Sequence, residues 1–562
     1  MSRLAKATDE AYEWRQETKD AFLSGEVSAT RLQRMVHKAS KAGAKGADDF
    51  AKTGKSGSIP NNIHRDLANA MRRGSLWPKF YYAAIPLWDP KEEKMIEKSH
   101  PFLLPHEWLA KACDLCDMSG IMATENHTDI HSHMAKVCAG LRIPVEGMIP
   151  LGLHSDGVPF GSQNFYTDSL ELFSLNFPCG NIGMRIPFTS VQKTHLVKHV
   201  TYNAILQVLA WSLKHLALGI LPTHRHDGTE FGPGELWRLK MSVRPAKALL
   251  VEIRADWVAL KQLFQFPQQN ENAGICWMCS CKPSDVQDCS SNAPWRRERK
   301  TAVSFHRQLL SEGKSCPLWS VPGVSCAIVV VDWLHCADIG VTADIMGNIL
   351  VELLPLYPGS DRNVRMKALW QEVRDEYDSQ GVPEGNRFPV LRVQSFCPKG
   401  KSPKLKGKAA HIRYFVPVLD CIVQRKLDPT DSLHNQTVVS CMQNLAMAYS
   451  CLQDFDPVKL DRASRRMALL YCALQKEQVD AGVDKRWKVK PKLHLFLELC
   501  HYLCLQRQRG NPRDFWTYGD ESHGGSMRRI AASRGGKNSS AASAYRLLSL
   551  WVSQTAFLSM MD

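Results

Sequence analysis

The rhythm of hydrophobic and polar positions changes at Gly147. Before it, residues 1 to about 75 are polar with helical spacing, broken by Gly, Ser and Lys over 41–58, and residues 76–145 are mixed and aromatic. From Gly147 onward, apolar runs of strand length appear: GMIPLGLHSD (147–156), LELFSLNFPCG (170–180) and GMRIPFTSV (183–191). Their short connections predict an antiparallel meander. A long apolar helix follows, from about His195 to Gly219, and then a loop rich in Gly, Pro and His over 221–234. KALLVEIRAD (247–256) predicts a fourth strand that runs into a helix, WVALKQLFQF. SCAIVVVD (325–332) predicts a fifth, followed by an amphipathic helix, WLHCADIGVTADIMGNILVELL.

This order predicts an α/β (α+β) fold: a ribonuclease-H-like mixed five-stranded sheet, with three antiparallel strands and two more added through helical crossovers. The chain divides into an N-terminal, mostly helical region (1–145) and the first part of the core (146–350), which contains a Cys-bearing connection over 257–324. A helical insertion (351–489) follows, and then the C-terminal part of the core (490–562), with a late helix and a last apolar-faced helix over about 541–560. The N-terminal region shows no Cys/His finger and no helix-turn-helix. Cys113, Cys116, His127 and His131 are loosely finger-like in spacing but run across helical sequence, which predicts packing rather than zinc.

Composition narrows the partners. The chain has 562 residues, is 44% hydrophobic and 23% charged, and carries a net charge of +15, which suits a soluble protein with an acidic polymer as partner. The longest apolar stretch, Ile205 to Leu221, includes Lys214 and His215 and predicts a buried helix rather than a membrane span. The charged start, MSRLAKATDEAYEWRQ, does not resemble a secretory leader, so the 18 cysteines are expected to be reduced thiols, some of them metal ligands.

Candidate chemistry lies at the strand ends. Asp156 closes the first apolar run, and Gly157 and Pro159 turn the chain after it, so its carboxylate is expected where sheet proteins bind ligands. Taken alone, Asp-Gly after a strand is more often a turn residue capping its own backbone. Asp256 closes the fourth strand in the same way. Glu521 opens a late helix rich in Gly and Arg, with Asp520 as its local competitor and a surface pairing with Arg528 or Arg529 as the plainer reading. Phosphoryl transfer by two metals needs carboxylates that hold cations about 3.5–4 Å apart, and Asp156, Asp256 and Glu521 arrive in suitable order. Acids packed that closely repel, so at least one should take up a proton more readily than a free carboxylate. Asp332 and His335 end the fifth run; Asp332 either caps the next helix or braces the metal acids. Spacing does not choose between Asp256 and Asp332 as the second metal acid.

Cys276 and Cys279 form a CxxC, half of a structural zinc site that would pin the long 257–324 connection. Cys281, Cys289, His306 and Cys316 are the candidates for its other half, and a pair of buried thiols is the equal alternative. Positive charge for a phosphate backbone is offered by Arg296, Arg297, Arg299 and Lys300, and by Arg528 and Arg529. For Arg296 and Arg297 local charge balance is the better reading. On a helix, positions 521, 525 and 528 share a face, which would aim Arg528 the same way as Glu521. The lysines at 399, 401, 404, 406 and 408 read as a solvated loop.

These motifs, in this order, resemble those of DDE/D transposases with a ribonuclease-H-like fold, closest to the CACTA (En/Spm-like) group. HSDGVPFG (154–161) is similar to the family's first-Asp segment. RADW followed by GICWMC resembles its Asp-led helix and G-x-C-x-x-C, VVVDWLHCADIGVTADIMGNIL its D-x-x-H helix, and KLHLFLELCHYL before WTYGDE its late W-x-Y-x-x-E segment. Trp257 stands where that group has Phe-Pro. The resemblance covers roughly 147–350 and 490–530. It implies Asp156, Asp256 and Glu521 as the catalytic triad, Asp332 and His335 as an auxiliary pair, and two Mg²⁺ or Mn²⁺ ions. It further implies DNA as partner, no membrane, a nuclear location and room for a homo-oligomer. The alternative of another class is a catalytically inactive, transposase-derived nucleic-acid-binding protein; a purely structural scaffold is the third.

Overall fold

Helices Asp9–Leu23, Ala29–Lys41, Asp48–Ala51 and Ile63–Arg72 lead the chain. Their apolar faces, with Phe22, Leu32, Val36, Phe50 and Leu67, build a small core that also takes in Leu550 near the other end of the sequence. The computed structural model describes residues 9–23, 26–54, 62–72, 76–160, 168–180, 183–266, 274–483, 485–532 and 540–555.

Strands β1 (Tyr81–Asp89) and β2 (Lys94–Phe102) form an antiparallel hairpin that the mixed composition of 76–145 did not announce. Its signal lies in β1, where buried and exposed side chains alternate along YYAAIPLWD, the period of a half-buried strand.

The main sheet contains β3 (Ile149–Phe160), β4 (Asp168–Asn176), β5 (Ile186–Gln192) and β6 (Ala248–Ala255). Its order is β5-β4-β3-β6. The first three strands are the expected antiparallel meander, and β6 joins β3 in parallel after the crossover helix Lys198–Leu218. Every residue of β5 and of β6 is buried, as befits strands covered on both faces. In β6, Leu249 and Val251 pack with Ile130, Met134 and Cys138 of helix Thr128–Leu141, while Ala248, Leu250 and Ile253 join the main core.

Two strand expectations need correction. The run at 325–332 is not a fifth strand: Ser325 caps a tight turn over Cys326–Ile328 by accepting from Ala327 N. What remains is a single parallel bridge, Ile253 to Val329, and one bond from Val330 N to Ile253 O. The segment therefore lies beside β6, in the fifth place, held mainly by burial of Val329, Val330 and Val331. Nor does β3 stop at Asp156. It continues to Phe160 because β4 pairs with it to the end; only the parallel neighbour stops, at the Ser155–Ala255 pair.

The helix after Asp332 opens with wide, π-helical turns over Leu334–Thr342, broken at Gly340, and continues as Ala343–Leu353. The span Leu334–Leu356 is long and apolar enough to cross a membrane, yet it is mostly buried in the protein. The insertion that follows is helical, with long helices Arg362–Ser379, Ala409–Lys426, Leu433–Ser450 and Pro457–Asp480. The chain then returns through Lys492–Leu497 and the π-helical Glu498–Gln506. Helix Tyr518–Ala532 lies on β3, and the last helix, Ser540–Gln554, lies on β5. Gly524 allows the first of these contacts: a Cβ there would stand 3.3 Å from Val158 of β3.

Asp338, fully buried in the wide turns, joins three parts of the chain. It accepts from Trp333 Nε1 (3.1 Å), from Tyr449 Oη of the insertion (2.6 Å) and from Tyr518 Oη of the late helix (2.6 Å). Burial pushes its carboxyl up to about 7, against the pull of both tyrosines. Asp338→Ala would strand three buried donors and should lower unfolding free energy by about 2–4 kcal/mol, with Asp338→Asn costing less. A urea melt that leaves the Ala variant within error of the parent would refute this role.

Candidate metal centre

Asp156, His335 and Glu521 meet at one point, with their ligand atoms all within 4.8 Å of one another. They come from β3, from the turn after the bridge segment and from the late helix. His335 Nε2 stands 3.5 Å from Glu521 Oε1. The site is half open: Asp156 and His335 are partly buried, and the Glu521 side chain is 42% exposed.

The register explains how the strand acids approach. Ser155 pairs with Ala255, so Asp156 and Asp256 are the next residues on neighbouring strands. Asp256 stays outside the three-residue cluster. One of its oxygens caps helix Trp257–Phe264 by accepting from Ala259 N at 2.6 Å. It lines a small cleft with Trp277, Asp332, His335, Lys492 and Leu495. Asp256 is thus a helix cap that still borders the site, and the backbone-capping alternative raised for Asp156 is present as well, Gly157 N donating to its Oδ1 at 2.6 Å.

Asp332 is a brace. It is 3% exposed, and its Oδ1 accepts from Leu334 N (3.2 Å) and Thr517 N (2.9 Å). Its Oδ2 accepts from His335 N (2.9 Å), His335 Nδ1 (2.6 Å) and Thr517 Oγ1 (2.8 Å). Five donors occupy its acceptor positions, which leaves Asp256 as the more open of the two acids that spacing could not separate. Holding Nδ1 also aims Nε2 of His335 at Asp156 and Glu521, the outer-shell arrangement that orients histidine ligands.

The competition between neighbours on the late helix has a physical answer. Asp520 is buried and paired with Arg185 Nε (2.5 Å) and Arg254 Nη1 (3.6 Å). Burial raises its pKa, but His154, Arg185 and Arg254 outweigh that and hold it below the usual range. Glu521, turned outward, pairs with His335 rather than with Arg528 or Arg529. Burial and then the charge of Asp156 push Glu521 up to about 7. This is the repulsion expected of crowded acids. For His335, burial pulls the pKa down, but the bond and charge of Asp332, then Glu521 and Asp156, raise it to about 9.

The remaining residues singled out in the sequence sort clearly. Arg528 is exposed on the same face as Glu521 and Gly525, and Arg529 donates to Ser526 Oγ (3.1 Å). Arg296 is buried over Trp295, and Arg297 bonds Asn292, the local roles favoured for both. Arg299 and Lys300 turn to the cysteine connection, reaching Glu498 and Cys276 O. Cys276 and Cys279 are buried with His494 and Glu498, apart from the acids. Of the four proposed companions, Cys281 borders that group, its thiol interacting with His494 as well as facing Lys282 O, while Cys289 pairs with Cys472, His306 packs by Trp319, and Cys316 is buried at a turn. His131 bonds Thr124, and no metal group forms around Cys113 and Cys116 among the described residues.

Sequence reasoning missed Lys492, whose Nζ donates to His335 O at 2.7 Å, and Thr517, which ties Asp332 to the late helix. Thr517 lies inside WTYGDE, so a signal was present; Lys492 sits in an apolar helix with none. No family model matches the chain, and neither does any curated protein.

The titrations set a sign for metal binding. Below about 7 Glu521 carries a proton, and below about 9 His335 is cationic; both oppose a cation. Mn²⁺ affinity should therefore rise as pH goes from about 6 to about 9, and Glu521→Gln should remove the lower part of that rise. Calorimetry giving a flat pH profile would exclude Glu521 and His335 as ligands.

Proposed function

We propose that this protein cleaves and joins DNA strands by metal-assisted phosphoryl transfer, as a transposase or transposase-derived nuclease with a ribonuclease-H-like core. The single observation that carries this reading is the convergence of Asp156, His335 and Glu521 from distant parts of the chain, with Asp256 next to Asp156 in register. The sheet order β5-β4-β3-β6 with the Val329 segment beyond β6 supports the core assignment. The basic balance of +15 supports DNA as the partner, and action in the nucleus follows only if that reading is right.

Two divalent cations, magnesium or manganese, would supply activation of the attacking oxygen and stabilisation of the leaving oxygen. Asp156, Glu521 and His335 would hold them, with Asp256 on the adjoining wall. The chain's own contribution is positional. Asp332 fixes the His335 ring, and Asp338 and Asp332 together hold the start of the Glu521 helix through Tyr518 and Thr517. Arg528, on the exposed face shared with Glu521, would grip a phosphate beside the scissile bond without sequence preference.

With Mn²⁺ and a mixed DNA pool, the wild-type protein should nick. Asp156→Asn should abolish nicking while leaving the melting temperature and DNA affinity unchanged. Wild-type protein that binds DNA but never cuts would transfer the assignment to the inactive binder.

Arg528→Ala should weaken binding equally on unrelated sequences and reduce the slope of log affinity against log salt by about one phosphate contact. A salt titration identical to that of the parent would remove Arg528 from the interface.

A further inference from the structure

The second cluster is independent of the acids. Cys276 and Cys279 are fully buried in the connection after helix Trp257–Phe264, His494 is 1% exposed, and Glu498 is completely buried. His494 and Glu498 are four residues apart on one helix, so both side chains leave it on the same side. Their ligand atoms and the two sulfurs lie within 4.8 Å of one another. Cys279 Sγ is 3.3 Å from His494 Nε2, and that nitrogen is 3.7 Å from Glu498 Oε1. A tetrahedral zinc with Zn–S near 2.3 Å and Zn–N or Zn–O near 2.0–2.1 Å separates its ligands by about 3.3–3.8 Å.

The electrostatics point the same way. Glu498 Oε2 accepts from Arg299 Nη1 (2.5 Å), but Oε1 is buried with no hydrogen-bond partner, a costly condition for a carboxylate oxygen. Two thiolates and a carboxylate, less the charge of Arg299, leave an excess that one divalent cation cancels. Thiolate donors exclude magnesium and calcium and select zinc among the common divalent ions.

We propose that Cys276, Cys279, His494 and Glu498 bind a structural zinc ion that clamps the cysteine connection to the returning helix. Four protein ligands leave no position for substrate. The clamp also supports the wall of the acid site. Trp277, between the two cysteines, donates to Val329 O (3.4 Å). Lys492, two residues before His494, donates to His335 O, and its own carbonyl accepts from Cys336 Sγ. Cys281 is the alternative fourth ligand: its thiol interacts with His494 and also faces Lys282 O at 3.5 Å, but Glu498 is the residue that lies within 4.8 Å of all three others.

The test needs no nuclease activity. Elemental analysis of the purified full chain should find about one zinc per molecule, and the Co²⁺-substituted protein should show the visible bands of a tetrahedral thiolate site. A strong chelator should lower the melting temperature, and added zinc should restore it. Glu498→Gln should weaken zinc retention against a chromophoric chelator about tenfold or more; Asp156→Asn and Cys281→Ser should retain zinc as the parent does. Folded wild-type protein without zinc, its Cys276 and Cys279 thiols open to titration on zinc addition, overturns the site. Loss of zinc in Cys281→Ser with retention in Glu498→Gln overturns the assignment of the fourth ligand.

Discussion

The buried carboxylate of Asp332 is the joint on which the site depends. Five donors converge on it, three from the turn just after it and two from Thr517. The bond from Thr517 N spans 185 positions of sequence. A carboxylate buried without such partners would be expensive; with them it is held below its normal pKa, as the His335 and Thr517 bonds outweigh burial. One group thus sets the ring plane of His335 and docks the strand-bound half of the site to the helix that brings Glu521.

A second polar layer works beneath it. On β6, Glu252 pairs with Arg254 and with Arg509, while Arg254 donates to the carbonyls of Asp514 and Trp516 and stands beside Asp520. All of these side chains but those contributing only backbone are buried. Buried ion pairs of this kind add less stability than their number suggests, because each charge was solvated before folding. Their value here lies in placement: beside the apolar anchors Pro512 and Phe515, the arginines fix the path of the segment 509–520 over the sheet. Asp520 is consumed in that task, which is why Glu521 is the residue left facing outward.

Much of this was legible in the sequence, and the parts that were not have identifiable reasons. Long, mostly apolar runs bounded by turn residues located β3 to β6, since a strand buried on both faces favours apolar residues, even though β6 also buries Glu252 and Arg254. The run at 325–332 looked the same, yet Ser325 caps a turn and leaves a single bridge; burial and strand pairing make the same demand on composition. The end of β3 was misplaced for a related reason, because Gly157 and Pro159 lie on a strand paired on one side only, where such residues are tolerated. Asp156, His335 and Glu521 were each visible as candidates, but the choice between Asp520 and Glu521 rests on Arg185 and Arg254, distant residues that no local pattern connects. His494 and Glu498 were hidden for the opposite reason: KLHLFLELC reads as a plain core helix, and its polar pair gains meaning only beside Cys276 and Cys279.

The late helix has a consequence for how the protein comes into being. Arg185 and Asp520 are 335 positions apart, and Gln192 of β5 waits for Ser540, 348 positions on. Loops of that length close slowly, and the sheet cannot gain its outer cover until residues 518–554 have left the ribosome. While residues 157–520 are being made the nascent chain holds Asp156 without Glu521, and β5 waits longer still for its covering helix. Whatever chemistry the completed centre performs is withheld from every copy that still lacks the Glu521 helix, and the same delay exposes a buried strand that chaperones would have to shield until helix Ser540–Gln554 arrives.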